Sequence, residues 1–350
     1  MTPKVSIIMP IYNASKFLDQ SIQCLIGQTL KDIEIVCVDD GSKDNSLSIM
    51  RKYANEDARI KIIDKENAGY GNAMNQGLKI ATGKYIGILE PDDYIDTDAF
   101  ARLYSVAEQN QCDVIKANYY ERYEKQGQDK FMEVLWEVPY DRVTNADENK
   151  KIVYMRPCIW SGIYKRDFLS ANHVNFNETP GASYQDTSFA FKVWVCAKRV
   201  YFIKDAFLHY RVDNESSSVN SKGKVFSICD EFWGIQAFLN QSNIWRAEYS
   251  PILQVLKFDA YCWNLDRVAD EYKSTFSDEL AIEFIKADYD GFLQKDLFDS
   301  TRWERLQKII SEYRNRGSYG WNEVDVYRNS ASYKLGHALL QPIRVMFRLK

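Results

Sequence analysis

Glu34-Ile-Val-Cys-Val-Asp-Asp-Gly-Ser42 decides how this chain folds. An uninterrupted apolar run, Ile35 to Val38, ends on two adjacent aspartates and a glycine. A short run that is apolar on both sides of its pleat fits a strand buried on both faces. Such strands belong to parallel sheets covered by helices. The pattern repeats on either side. Val5–Ile11 reads as a strand ending at Tyr12-Asn13, Arg59–Ile63 runs into Asp64, and Lys84–Leu89 runs into Glu90-Pro-Asp-Asp93. Between these strands the periodicity predicts helices over residues 14–28, from Asp44-Asn45-Ser46 onward, over Tyr70–Ala81 and over Asp98–Asn110. Asp44 or Asn45 is the expected N-cap of the second helix, and Gly83 the expected C-cap of the third. Asp113–Tyr119 reads as a fifth strand. The expected class is therefore α/β, a mostly parallel sheet with helices on both faces.

The chain has 350 residues, enough for two domains. Hydrophobic residues at 45% and charged residues at 27% exclude a disordered scaffold. Forty-five basic against 49 acidic side chains leave a net charge of −4, so no global field attracts nucleic acid. Aromatic residues reach 14%, which suits filled cores first and a sugar-stacking surface second. Seven cysteines are scattered with no C-x-x-C pair, suggesting neither a disulfide framework nor a zinc site. No signal-peptide pattern and no membrane-length apolar run is visible, so the expected location is cytoplasmic.

Residues 121–151 are polar and poorly periodic, which fits a surface loop or short antiparallel strands. Order resumes over residues 152–220, and from Lys224 to Glu312 the pattern is helical and aromatic-rich. The Ser/Asn/Gly-rich stretch Asn214–Gly223 marks the boundary. The expected domains are 1–220, with 1–120 binding nucleotide and 121–220 meeting the acceptor, and a helical module over 221–350. The end of the chain, Arg328–Lys350, carries five Lys and Arg residues, no acid, and many apolar residues. Three readings stay open for it: a helix lying on anionic lipid at the inner membrane face, a homodimerisation helix, or a last core helix.

Ligands of open α/β sheets bind at the carboxyl ends of the strands. Here three of the first four ends are acidic clusters, Asp39-Asp40, Asp64 to Glu66, and Glu90 to Asp93. Charged groups next to buried strands are costly unless paired or metal-bound. A G-x-G-x-x-G turn after the first strand is absent, and so is a P-loop. What remains is a nucleotide held by carboxylates and a cation. Glu90-x-Asp92-Asp93 offers oxygen ligands of the kind Mg²⁺ or Mn²⁺ uses beside substrate phosphates.

The motifs Pro10-Ile-Tyr-Asn13, Val38-Asp-Asp-Gly-Ser42, Asn67-Ala-Gly69 and Leu89-Glu-Pro-Asp-Asp93 resemble, in order and spacing, those of family-2 inverting glycosyltransferases of the GT-A fold. The resemblance implies a nucleotide-sugar donor, usually a UDP-sugar, with Mn²⁺ or Mg²⁺ as cofactor. It also implies a glycan, lipid-linked or protein-linked acceptor, and transfer of a hexose or N-acetylhexosamine. By it, Pro10, Tyr12, Asp39, Asp40, Asn72 and Glu90 belong to the donor pocket, and Asp92 is the metal ligand. The family usually has Asp where this chain has Glu90.

Tyr184-Gln-Asp186 looks like the family's acidic pair at the start of a helix, which makes Asp186 the expected general base and Gln185 a departure. The plain alternative for Asp186 is an N-cap. His209 is a second expected metal ligand or a structural histidine, and Arg211 pairs with the donor diphosphate or merely forms a salt bridge. Trp160 stacks on a sugar or packs in the core. Two other functions were weighed. A catalytically silent binding module is suggested by Glu90 and Gln185, and a nucleotidyltransferase is disfavoured because no triphosphate loop follows the first strand.

Overall fold

The structure, a computed structural model, describes residues 2–135, 137–214 and 225–316. Contacts divide the chain into two compact units between Asn220 and Ser221.

The first unit opens as β1 (Val5–Ile11), α1 (Ser15–Ile26), β2 (Ile33–Asp39), α2 (Ser46–Glu56), β3 (Ile60–Asp64), α3 (Tyr70–Ile80) and β4 (Tyr85–Ile88). Every residue of β1 and β2 is buried, as continuous apolar runs require when helices cover both faces. Helix α1 buries Leu18, Ser21, Ile22 and Leu25, one face at helical spacing. The short β5 (Tyr94–Ile95) leads to α4 (Ala99–Gln109) and β6 (Val114–Tyr123). Strand β6 turns back at β7 (Gln128–Met132), so part of the polar stretch 121–151 forms an antiparallel hairpin. After β8 (Val143–Thr144) come β9 (Gly162–Lys165), α5 (Arg166–Ala171), α6 (Gln185–Cys196) and the long β10 (Val200–Arg211).

The sheet order is β3-β2-β1-β4-β9-β6-β10-β5, with β7 beside β6 and β8 beside β10. Strands β3, β2, β1 and β4 are parallel, and β6 and β10 are parallel to each other. Strand β9 lies between these groups and is antiparallel to β4 and β6, which makes the sheet mixed. Register aligns Ile11 with Asp39 and Asp39 with Asp64, so the acidic ends of the first strands share one edge.

One detail differs from expectation, and a second is settled between the two residues expected for it. Helix α3 ends at Ala81 in extended backbone, so Gly83 is not its C-cap. Gly83 is needed for space instead: a Cβ there would lie 2.5 Å from the Ser6 backbone nitrogen. The N-cap position of α2 is Asn45, whose side chain makes no capping bond. Asp44 serves both neighbouring helices, accepting from Ser46 N–H and Ser15 N–H at 3.0 Å each. These bonds hold its carboxyl down at about 2 despite the opposing effect of burial.

The second unit contains α7 (Ser227–Leu239), α8 (Asn243–Arg267), α9 (Asp270–Tyr289) and α10 (Ser300–Arg316). Its core is aromatic, with Phe232, Phe258, Tyr261, Phe276 and Phe284 almost fully buried. Among the described residues no helix is long and apolar enough to cross a membrane. The basic tail Arg328–Lys350 lies outside the described residues.

Candidate active site

The two aspartates after β2 look equivalent in sequence and behave differently in space. Asp40 is fully occupied: it accepts from Ala68 N–H at 2.9 Å and Gly69 N–H at 2.8 Å, and pairs with Lys65. It therefore ties the β2 end to the turn before α3. That turn needs Gly69, whose φ of +91° lies outside ordinary side-chain territory. Asp39 is buried too, and its Oδ2 accepts from Ser42 N–H at 3.2 Å. Its Oδ1 has no partner among the described residues. A buried carboxylate oxygen left open in this way is an acceptor awaiting a donor. Tyr12, at the end of β1, is 53% exposed and presents its ring at the same edge. Pro10 is buried inside β1 opposite Val38, where it shapes the strand end.

Beyond β4 the carboxylates converge. Glu90 Oε1 accepts from Tyr70 Oη at 2.7 Å. Burial, reinforced by the charges of Asp92 and Asp186, pushes the Glu90 carboxyl up to about 8. Asp92 Oδ2 accepts from Asn214 Nδ2 at 2.7 Å. Asp93 is fully buried, accepts the Arg211 backbone N–H at 2.9 Å through Oδ1, and has no partner for Oδ2 among the described residues. Burial raises its carboxyl well above the ordinary range.

Carboxyls whose ionised forms are disfavoured by burial and by one another suit a hard dication, which would stabilise those forms. Mg²⁺ and Mn²⁺ accept oxygen ligands and need only one or two carboxylates when substrate phosphates complete the shell. Among the described residues no three His, Cys, Asp or Glu side chains converge as a self-sufficient metal cage. The fit is thus to a cation shared with a phosphate, to which Asp92 could offer an oxygen.

His209 is not brought to that carboxylate. Its ring is stacked between Tyr94, at 4.4 Å, and Tyr120, at 5.1 Å. Its two nitrogens face Asp96 and Asp129 at 3.2 Å each. Alternation along β10 is the reason, because His209 and Arg211 point to one face and Tyr210 to the other. Arg211 is likewise spent internally. Its Nε donates to Glu124 Oε1 at 2.7 Å, and the other guanidinium nitrogens reach the Asp92 carbonyl and Gln20. With that side chain only 1% exposed, it clamps the Glu90–Asp93 loop rather than facing a diphosphate.

Asp186 is the second residue of α6, whose N-cap is Tyr184, so it is not the cap. Its Oδ1 accepts from Thr187 N–H at 2.8 Å. Burial lifts the carboxyl to about 6, while that hydrogen bond and the Arg156 charge work against the rise. Gln185 explains its own departure from the family pattern. Its amide donates to Thr179 Oγ1 at 2.8 Å and to the Gly181 carbonyl at 3.2 Å, and accepts from Ser183 N–H at 2.6 Å. A glutamate could not donate those bonds. The same loop is stitched to α3: Asn72 Nδ2 donates to Glu178 at 2.9 Å, and Tyr70 N–H to the Gly181 carbonyl at 2.9 Å. Asn72 Oδ1 is buried without a partner among the described residues.

Trp160 stacks on Tyr210 at 5.4 Å and 9°, with Tyr119 edge-on to it at 4.7 Å. The ring is half-buried and packs against the core of the sheet. Tyr70, Arg156 and Tyr210 also belong to this region and were not singled out from the sequence. No spacing signal marks them, because they come from three separate elements that only the tertiary fold assembles.

Strand ends bearing carboxylates on a helix-covered sheet, with a further acid at a helix start, fit the GT-A fold that the sequence motifs resemble. Residues 6–169, just under half of the chain, match the glycosyl transferase family 2 model. It is 35% identical over 226 residues to the uncharacterized glycosyltransferase EpsJ of Bacillus subtilis, covering 62% of this chain and 63% of EpsJ. It is 27% identical to the cholesterol galactosyltransferase of Borreliella burgdorferi, over 62% of this chain and 63% of that one. The chain thus spans just under two thirds of the length of these relatives. Among solved structures, S. aureus TarS 1-349 in complex with UDP-GlcNAc superposes with a TM-score of 0.70 at 20% identity, over 91% of this chain and 94% of TarS. At that identity the likeness concerns the fold.

Proposed function

We propose that the chain is a metal-dependent inverting glycosyltransferase that moves a hexose or N-acetylhexosamine from a UDP-sugar to a hydroxyl of a glycan, lipid-linked or protein-linked acceptor. One observation carries the reading. Tyr70 ties the Asp186 loop to the Glu90–Asp93 carboxylates, its N–H donating to the Gly181 carbonyl at 2.9 Å and its Oη to Glu90 Oε1 at 2.7 Å, and Asp186 helps raise the Glu90 carboxyl. A base and a charge-rich leaving-group site are thereby held together.

The open Asp39 oxygen accepts from the base or ribose of the donor, Tyr12 offers a stacking face, and Asp92 holds the cation, with Glu90 beside it. The bound cation supplies charge neutralisation for the departing diphosphate. Asp186 takes the proton of the acceptor hydroxyl as that oxygen attacks the anomeric carbon. The bond from that carbon to the diphosphate oxygen breaks, and UDP leaves. A single displacement inverts the anomeric centre, as one base and no second nucleophile imply. A pKa near 6 leaves Asp186 ionised at neutral pH yet more basic than an ordinary aspartate. The names of the relatives and the UDP-GlcNAc bound to TarS support a nucleotide-sugar donor.

Incubation with UDP-glucose, UDP-galactose and UDP-GlcNAc, with and without Mn²⁺, tests this. Release of UDP from one donor, stimulated by the ion, is the expected result, and NMR of the product reads its anomeric configuration. Absence of UDP release from every donor, or retention of configuration, overturns the reading.

A further inference from the structure

Arg156 is the charged residue of this region that the proposed transfer leaves without a task. It lies in the segment before β9, and its Nη1 donates to Tyr119 Oη at 2.7 Å, with the guanidinium 6.0 Å from the Tyr119 ring. Tyr119 meets the edge of Trp160, which stacks on Tyr210. The guanidinium offers five N–H donors in one plane. One goes to Tyr119, and among the described residues no carboxylate pairs with the group. The side chain is exposed.

The aromatic stack joins it to the rest of the site: Tyr210 feels the charge of Arg156 together with those of Asp93, Asp92 and Glu90, and Asp186 feels Arg156 as well. An anionic acceptor approaching Asp186 would meet the negative charge that Asp186 itself carries at neutral pH unless a fixed cation received it. A planar fork is the group best shaped to bind an oxyanion through two parallel hydrogen bonds.

We propose that Arg156, with the Trp160–Tyr210 stack beside it, forms a subsite for an oxyanion carried by the acceptor saccharide, a sugar carboxylate or a sugar phosphate. The subsite rests on the reading of Asp186 as the base of a glycosyltransferase. Its aromatic stack supplies an apolar wall for a sugar face, and Arg156 reads the charge.

Calorimetric titration of the full chain saturated with UDP, using methyl β-glucoside, methyl β-glucuronide and methyl β-glucoside 6-phosphate as probes, tests it. At least one charged probe should bind roughly 10- to 100-fold tighter than the neutral one. Arg156→Gln should abolish that preference without changing UDP affinity or the thermal unfolding midpoint, and Arg156→Lys should keep part of it. Whether the glucuronide or the phosphate is preferred identifies the source of the oxyanion. Equal binding of all three probes by the native chain, including no binding by any, overturns the proposal. So does a preference that survives Arg156→Gln, or a loss of UDP affinity in that variant, which would put the guanidinium on the donor. The UDP titration reports separately on the glycosyltransferase reading, because its failure leaves the charge preference measurable.

Discussion

In the helical unit the Glu283 carboxylate is buried against Lys257 Nζ at 2.7 Å, with the Trp233 indole N–H on its other oxygen and Tyr261 Oη at 3.5 Å. In the α/β unit Glu90 is half-buried against one tyrosine hydroxyl, and Asp93 keeps one oxygen with no partner among the described residues. The same side-chain chemistry thus serves two ends. A buried carboxylate whose lone pairs are matched by an ammonium and an indole belongs to the scaffold. Carboxylates crowded without counter-charge remain costly until a ligand arrives, and that cost marks a site. A buried charged group is a functional signal only when its partners are missing.

The sharpest way to break this contrast is Asp186→Asn. Transfer should fall by about 10² to 10⁴ in kcat, as expected for loss of a general base, while UDP affinity stays near native. Unchanged turnover would remove Asp186 from the chemistry. In the helical unit Lys257→Met should cost about 3–5 kcal/mol in urea unfolding, because it leaves Glu283 buried and unpaired. Adding Glu283→Leu should recover most of that loss, and failure to recover would show that the pair does more than satisfy itself.

Smaller effects separate the two adjacent aspartates. Asp40→Asn should destabilise the α/β unit by about 1–3 kcal/mol, since an amide cannot replace an acceptor of two backbone N–H groups and a lysine. Asp39→Asn should leave stability near native and weaken UDP binding about tenfold. The reverse pattern would exchange their roles.

The smallest expected effect is in the pH dependence of stability. The Asp186 carboxyl is raised from 3.8 to about 6 in the folded chain. Its contribution is fully present below pH 3.8 and is lost as pH rises through about 6, so above that the buried charge opposes folding. Asp186→Asn should therefore be more stable than the native chain at pH 8, by on the order of 1 kcal/mol, and the difference should vanish toward pH 4. Activity runs the other way, because the base must be ionised: kcat should fall about tenfold per pH unit below 6. Flat profiles in both measurements would sink the assignment.

Much of the site was legible because a buried strand ending on an acid is an unusual arrangement that short-range sequence displays directly. Asp39, Asp40, Glu90, Asp92 and Asp93 all lie where the strand pattern put them. Less legible was which member of each cluster is satisfied. Asp40 meets N–H groups 28 and 29 residues away, and nothing within the motif announces them. His209 and Arg211, each open between a ligand role and a structural one, are engaged by Asp96 and Asp129 and by Glu124 and the Asp92 carbonyl. Strand β10 carries register shifts around Ala206, which reset the alternation, so the facing of residues 209–211 could not be counted from the start of the strand. Gln185 read as a loss of charge, whereas the fold uses its amide to bridge Thr179 and Gly181.

Hydrophobic period and strand-end chemistry, both carried by neighbouring residues, determined by themselves that the first 120 residues build a helix-covered sheet with an acidic edge. The antiparallel insertion of β9, the choice of Asp39 over Asp40 as the open acceptor, and the meeting of Arg156, Tyr119, Trp160 and Tyr210 were decided only by tertiary structure. Each depends on which distant group arrives to fill a hydrogen bond or cover a ring, and a linear pattern holds no record of distance in space.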